Sequence, residues 1–348
     1  MPMINHHLDV RMFTTPPLPI DASPTLHALL DAQLQLPAET RDQLTSHLPM
    51  ALHALHSLGA SPQRLASFYA AYVRRWEGLP PATLASPVAD WRGLRGQPDA
   101  YPALLATLRA RVARDGVDTT LRALLPDLLP GVAAAAFHGA IRTAHAVQTG
   151  HAGEVAAALV YWAWRWQPLA LAQEPTERMP LPLWSQALVH DALAWRTEGP
   201  LISIRMDQAA RGAVYQSLAD ALQPFADLQS AIAHLAALAA ERYVASPNFT
   251  VLHMVTGLRA LRVLSPWIES EEGVQPILLR AFTAAYLAAR VVPLAVAPVP
   301  RLGTWPDIIA AAIASDDDHV IKLVHACREE ASVYGQGNYL RAAGLAVD

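Results

Sequence analysis

The residue pattern with the clearest chemical potential is Asp316-Asp317-Asp318-His319-Val320-Ile321-Lys322. Three aspartates ahead of an apolar periodic run mark a helix N-terminus, where the macrodipole favours negative charge. His319 and Lys322 stand three residues apart and so share one helix face. Val320, Ile321, Leu323 and Val324 flank them, which predicts a buried turn. Burying a charge is costly, and a buried lysine shifts toward its neutral amine. A neutral amine can take up carbon dioxide and become a carbamate, a carboxylate-like ligand. The plainer alternative is a lysine paired at the surface with Asp316 or Glu329. Lys322 is also the one lysine of the chain, beside 25 arginines in a total of 26 basic residues. Arginine cannot supply a neutral amine, so the two are not interchangeable at such a position.

Three further segments carry histidines in helical patterns. In Phe137-His138-Gly139-Ala140-Ile141-Arg142-Thr143-Ala144-His145, the residues His138, Arg142 and His145 fall at i, i+4 and i+7, one stripe of a helix. His138 and His145 are then separated by about 10 Å of helical rise. One of them as a metal ligand and the other as a supporting group fits that spacing better than two ligands of one ion. His253 is an isolated polar residue in the apolar run Asn248 to Gly257, and His47 lies inside an amphipathic segment; each alone is a weak signal. Of the 14 histidines, His6, His7, His27, His53, His56, His151, His190 and His234 show no clustered partner in the sequence. A P-loop, a dinucleotide fingerprint, a zincin helix and a nucleophile elbow are all absent. A single cysteine, Cys327, excludes a thiolate zinc cluster and an intramolecular disulfide.

These residues need helices to position them, and helical periodicity dominates the chain while alternating strand patterns are nearly absent. The pattern predicts helices over 24–33, 39–57, 62–76, 102–116, 118–129, 131–149, 154–166, 183–196, 206–222, 225–243, 248–263, 274–291, 305–314 and 316–333. Pro- and Gly-rich stretches at 77–100 and 167–184 read as long connections. Candidate site residues fall on both sides of the second, so the expectation is one large all-α domain over 1–348, with the first 20 or so residues flexible. Hydrophobic residues make up 53% of the 348 and charged ones 16%, ample material for a core. A net charge of −4 offers no basic face for nucleic acid. Mean hydropathy is +0.20, yet no apolar run approaches the roughly 20 residues of a membrane span. The N-terminus lacks the charged and apolar regions of a signal peptide, which points to a cytoplasmic protein. Oligomeric state is not legible.

Four segments together resemble the questin oxidase-like family: Ser46-His47 through Leu58-Gly59-Ala60, Phe137-His138 through His145-Ala146, Asn248-Phe249 through Thr256, and His319-Val320-Ile321-Lys322. They occur in order over residues 40 to 335. The resemblance implies an all-helical oxidoreductase acting on aromatic polyketides, by oxygen insertion or oxidative ring opening. It also implies a mononuclear non-haem Fe2+ centre between helices, with His47, His138, His253, His319 and a carboxylated Lys322 as ligands and O2 as co-substrate. Five protein ligands would leave one of six positions open. A phenolic substrate could supply the electrons, so NADPH is not required, although a metal-free NADPH-dependent oxidase and a non-catalytic helical binding protein are the alternatives. Arg142 and His145 stand where fungal members resemble His and Tyr, and Ser46 where Asn is usual. Arg142 would hold a phenolate or superoxide, and His145 would orient a ligand or move a proton. Substrate-binding residues are not identified.

Overall fold

The computed structural model describes the chain apart from residues 1–20, 22, 43, 80–82, 84, 269, 272, 293, 295 and 297. The segment expected to be flexible, with His6 and His7, lies outside the described residues. Sixteen α-helices follow one another among the described residues, with no strand and only two isolated bridges. They are α1 (Pro24–Gln33), α2 (Leu48–Ser57), α3 (Pro62–Tyr72), α4 (Tyr101–Asp115), α5 (Val117–Leu128), α6 (His138–Thr149), α7 (Ala152–Trp164) and α8 (Leu181–Ala192), then α9 (Ile202–Ala210), α10 (Ala213–Leu218), α11 (Leu228–Ala245), α12 (Phe249–Leu264), α13 (Val274–Ala288), α14 (Trp305–Ala314), α15 (Asp318–Tyr334) and α16 (Gly337–Ala346). No described helix is long and apolar enough to cross a membrane.

The expected all-α class holds, and local chemistry explains the boundaries. Ser23, Ser61, Asp227, Asn248 and Asp317 cap α1, α3, α11, α12 and α15 through side-chain oxygens that accept first-turn N–H groups, each cap contributing about 1 kcal/mol. Three expectations need correction, and one helix was not expected. The helix expected over 39–57 begins only at Leu48. Pro49 lacks an N–H and its ring crowds the carbonyl four residues back, so it is best placed in a first turn, and the Glu39–Thr45 bridge precedes the helix. The helix expected over 131–149 begins at His138, because Ala135, Ala136 and Phe137 are left-handed, with φ of 47°, 56° and 67°. Three successive non-glycine residues in that region store strain that surrounding packing must hold. The span 206–222 breaks into α9 and α10 at Gly212, where the Trp195 ring lies so close that a Cβ would sit 2.2 Å from it. Helix α16 carries no prediction at all.

Four helices form the frame of the interior: α2 packs on α6, α6 on α12, α12 on α15, and α15 back on α2. Around this ring, α7 covers α6, α11 and α13 cover α12, and α16 covers α15. A small apolar cluster joins α1, α2 and α3 through Leu30, Leu52, Leu55 and Phe68, and Ile321 of α15 closes it. The larger core runs from Met50 to Ala343 and so spans both long connections. Close approach inside the ring depends on glycine. A Cβ on Gly139 would stand 2.5 Å from the Trp162 ring of α7, and one on Gly257 would stand 2.9 Å from the Phe137 ring. Gly139→Ala should therefore lower stability by about 1–3 kcal/mol. Gly303→Ala, where nothing lies within 4 Å, should leave the urea midpoint nearly unchanged; equal midpoints for both variants would refute this packing.

Candidate metal centre

The four-helix ring brings one histidine from each member to a common point. His47 is the N-cap of α2, His138 opens α6, His253 lies in the first turns of α12, and His319 lies in the first turn of α15. Their ring centroids close a circuit: 4.7 Å from His47 to His138, 4.9 Å from His138 to His253, 5.5 Å from His253 to His319, and 4.6 Å from His319 to His47. An ion about 2.0–2.1 Å from each ligating nitrogen would place neighbouring centroids about 4.5 Å apart at right angles and about 5.2 Å apart at tetrahedral angles. The 4.6, 4.7 and 4.9 Å spacings fall in that range, and the 5.5 Å from His253 to His319 lies just above it.

The Nδ1 side of each ring faces an acceptor. His138 Nδ1 donates to the Ala135 carbonyl, and His253 Nδ1 donates to the Phe249 carbonyl at 2.7 Å. His47 Nδ1 meets Asp318 Oδ1 at 2.6 Å, and His319 Nδ1 lies 3.0 Å from the same oxygen. Carbonyls and ionised carboxylates only accept, so the protons sit on Nδ1 and every Nε2 presents a lone pair. His253 Nε2 and His319 Nε2 are buried without a hydrogen-bond partner among the described residues. His47 Nε2 and His138 Nε2 face each other at 2.8 Å. Two lone pairs at that distance repel unless a cation lies between them. This donor set suits an imidazole-binding first-row ion.

The left-handed turn at Ala135–Phe137 has a visible consequence here: it folds the Ala135 carbonyl back onto the His138 ring and fixes its orientation.

Asp318 ties the cluster together. Besides His47 and His319, its carboxylate lies 3.8 Å from Lys322 Nζ and 3.4 Å from the half-exposed guanidinium of Arg75. Although burial opposes ionisation, His47, Lys322 and His319 hold Asp318 far below the usual carboxylate range. Among the described residues, His47, Asp318 and His319 are the one trio of potential ligand groups with atoms all within 4.8 Å of one another. Lys322 is buried, as expected, but its carboxylate neighbour is Asp318 rather than Asp316 or Glu329. Burial pushes its amine down to about 8 against the pull of Asp318 and Asp317. Burial likewise holds His47, His138, His253 and His319 below the ordinary histidine value, and the Lys322 charge adds to the effect at all four.

The other two expected site residues are placed elsewhere. Arg142 makes a buried bidentate pair with Glu154 of α7, at 2.6 and 3.0 Å, and Gln33 of α1 joins the same carboxylate. Its charge is thus already matched within the wall. His145 lies deeper along α6, beside His53 and His325. Sequence reasoning missed Asp318 as a shared partner, set aside His53, and passed over His325. The signal was present: histidines recur at spacings of 6, 7 and 6 in His47/His53, His138/His145 and His319/His325.

An apolar cavity of about 10 Å³ lies between Phe137, Met254 and Leu258, which are chain neighbours of His138 and His253, and Leu278, Ala281 and Phe282 of α13. A second, of about 90 Å³, shares Ala281 and extends outward past Val132, Leu169 and Leu171. The first has room for about one water.

Two outcomes follow. Replacing Asp318 with Asn keeps the shape but removes the charge that orients two imidazoles, and should weaken metal affinity 10–100-fold; unchanged affinity in a competition titration with a chelator would refute the role. The second concerns acid. His47, His53, His138, His145, His253, His319 and His325 are all held below 6.5, His47 and His325 at about 3. Above 6.5 both folded and unfolded imidazoles are neutral and the difference is absent. Below it the unfolded chain takes up protons that the fold refuses, so stability falls with pH. The urea midpoint of chelator-treated protein should drop between about pH 7 and about pH 5; a flat midpoint would contradict this.

No curated protein matches the chain. The family model described as questin oxidase-like matches residues 44–327, an interval that contains the whole histidine cluster and Lys322. With that match covering most of the 348 residues, the chain belongs to the questin oxidase-like family, a family of oxidoreductases acting on aromatic polyketides.

Proposed function

We propose that the protein is a non-haem iron oxygenase that uses O2 to oxygenate or cleave an aromatic, polyketide-like small molecule. The observation that carries this reading is the 2.8 Å contact between His47 Nε2 and His138 Nε2, with both Nδ1 atoms already committed as donors. His47, His138, His253 and His319 would hold Fe2+ through Nε2, and Lys322 would complete the set. Bound iron would supply a site for dioxygen and a route for electrons from the substrate.

Lys322 has the chemistry for an anionic role. With its amine near 8, a substantial neutral fraction is present at physiological pH. That amine can add carbon dioxide, releasing one proton and forming a carbamate. The new anion would offset part of the metal charge in a buried site where Asp318 already serves the imidazoles. Asp318 would hold the Nδ1 protons of His47 and His319, keeping both Nε2 lone pairs aimed inward. Phe137, Met254 and Leu258, chain neighbours of His138 and His253, would give the substrate an apolar approach to that side. An aromatic substrate would approach from there, entering past Leu171 and Ala281 by displacing side chains, since a small-molecule pocket usually measures about 300 Å³ or more. Electrons drawn from a phenolic substrate make NADPH unnecessary, and no dinucleotide motif stands in the chain.

Iron analysis of tag-free protein after anaerobic reconstitution should give about one tightly held Fe2+ at the four-histidine centre, with oxygen uptake on a hydroxylated anthraquinone or related phenol. Turnover that needs NADPH and survives complete iron removal would overturn the proposal. Lys322→Arg keeps the charge and cannot form a carbamate. It should lose iron and at least about tenfold in kcat, whereas normal iron content and activity would reject the ligand role. Ala281→Trp fills the junction of the two cavities and should raise KM far more than it lowers kcat; an unchanged KM would place substrate entry elsewhere.

A further inference from the structure

The same helices carry a second group of imidazoles one layer deeper. His53 of α2, His145 of α6 and His325 of α15 are buried, and their centroids form a near-equilateral triangle with sides of 5.0, 5.2 and 5.3 Å. Each lies six or seven residues beyond a histidine of the first cluster, so the two layers are separated by about 9–10 Å along the helix axes. On α12 the matching position is Arg259, six residues after His253.

Among the described residues, hydrogen bonding satisfies this triangle only in part, through one bond shared by His53 and His145. His53 Nδ1 and His145 Nδ1 meet at 2.8 Å. His53 Nε2 lies 3.2 Å from Asp21 Oδ2, near enough for an ion pair but off the line of a hydrogen bond. Both nitrogens of His325 are buried with no hydrogen-bond partner among the described residues, and Nε2 lies 3.8 Å from Glu329 Oε1. A neutral imidazole always has one N–H and one lone pair, and leaving either unmade in the interior costs roughly 1–3 kcal/mol. A metal ion would give the unpartnered His325 a bond and replace the His53–His145 contact with two more. It takes the Nδ1 lone pairs, and the opposite N–H groups of His53 and His325 then face Asp21 and Glu329, the carboxylate-backed arrangement usual for metal-bound histidine.

We propose that His53, His145 and His325 form a second metal site, for a divalent first-row transition ion held by three imidazoles. Ligand nitrogens around a tetrahedral ion stand about 3.4 Å apart, and ring centroids about 5.2 Å apart. The ring centroids have that spacing already, while the ligating nitrogens would have to be gathered by His325 turning Nδ1 inward and by the 2.8 Å His53–His145 contact opening. Three neutral ligands leave a fourth position open. Charge nearby permits a dication: Arg259 is engaged by Glu329 and Gln148, and Asp21 adds a further negative charge. The site is independent of the first, since no residue is shared.

Cobalt(II) titration of the chelator-treated full chain tests this, because four-coordinate Co2+ absorbs intensely in the visible while five- and six-coordinate Co2+ absorbs weakly. Wild-type protein should bind two equivalents, one with the intense bands. His325→Gln, close in size and unable to ligate like imidazole, should lose that equivalent and its bands while keeping the other. His253→Ala should do the reverse, which separates failure of this site from failure of the iron reading. Asp21→Asn should weaken only the second equivalent, about 10–100-fold. Should His325→Gln fail to fold, X-ray absorption of wild-type protein with both equivalents bound still decides, by showing or lacking a three-imidazole, four-coordinate ion. No intense bands in wild type, or intense bands unaltered in His325→Gln, would overturn the proposal, whereas one equivalent with intense bands would count against the first site only.

Discussion

Two buried imidazole lone pairs facing each other at 2.8 Å set the terms for the rest of this structure. That contact is unfavourable in an empty interior and favourable around a cation. The fold holds it in place from several directions. Asp318 fixes His47 from α15, and the left-handed turn before α6 fixes His138 from within its own segment. Asn248 caps α12 one turn below His253 and also donates to the Ala289 carbonyl, anchoring that helix to the end of α13. Helix termini dominate the site because three of the four histidines sit in or beside the first turn, where the chain can be aimed by caps and strain.

Electrostatics divide the interior into compartments. Around the first cluster the carboxylate is Asp318, shared by two imidazoles and Lys322. Around the deeper histidines, Glu329 and Asp21 play the corresponding part, with Arg259 and Arg262 drawn into the Glu329–Glu330 pair of α15. Arg142 and Glu154 form a third closed pair in the wall between α6 and α7. Breaking any one of these would leave an uncompensated charge indoors, a far larger penalty than the net worth of the pair. Charge in the interior is therefore paired around both histidine groups, while the lining of the cavity beside Phe137 and Met254 is apolar.

Much of this was legible before any coordinates. Lys322 stood out as the single lysine, and its apolar neighbours correctly foretold burial on the same turn as His319. The all-helical class followed from periodicity, and the caps at Ser61 and Asn248 lie where the pattern turns. What escaped was non-local or contrary to propensity. Alanines at 135 and 136 favour helix, yet packing of Phe137 against Gly257 holds them left-handed. Asp318 read as one of three interchangeable helix-start acids, because its bonds to His47 span 271 residues. Arg142 shares the His138 stripe, but the carboxylate that claims it comes from another helix. His53 looked alone for the same reason: its partners His145 and His325 are close only after four helices close their ring.

The central claim is that four Nε2 atoms face one ion. Crystallography of anaerobically iron-loaded protein, with anomalous scattering at the iron edge, addresses it directly. The account predicts an iron peak bonded to Nε2 of His47, His138, His253 and His319, with Lys322 alongside. An iron peak reached through Nδ1 atoms, or none among these four rings at full iron occupancy, would contradict it.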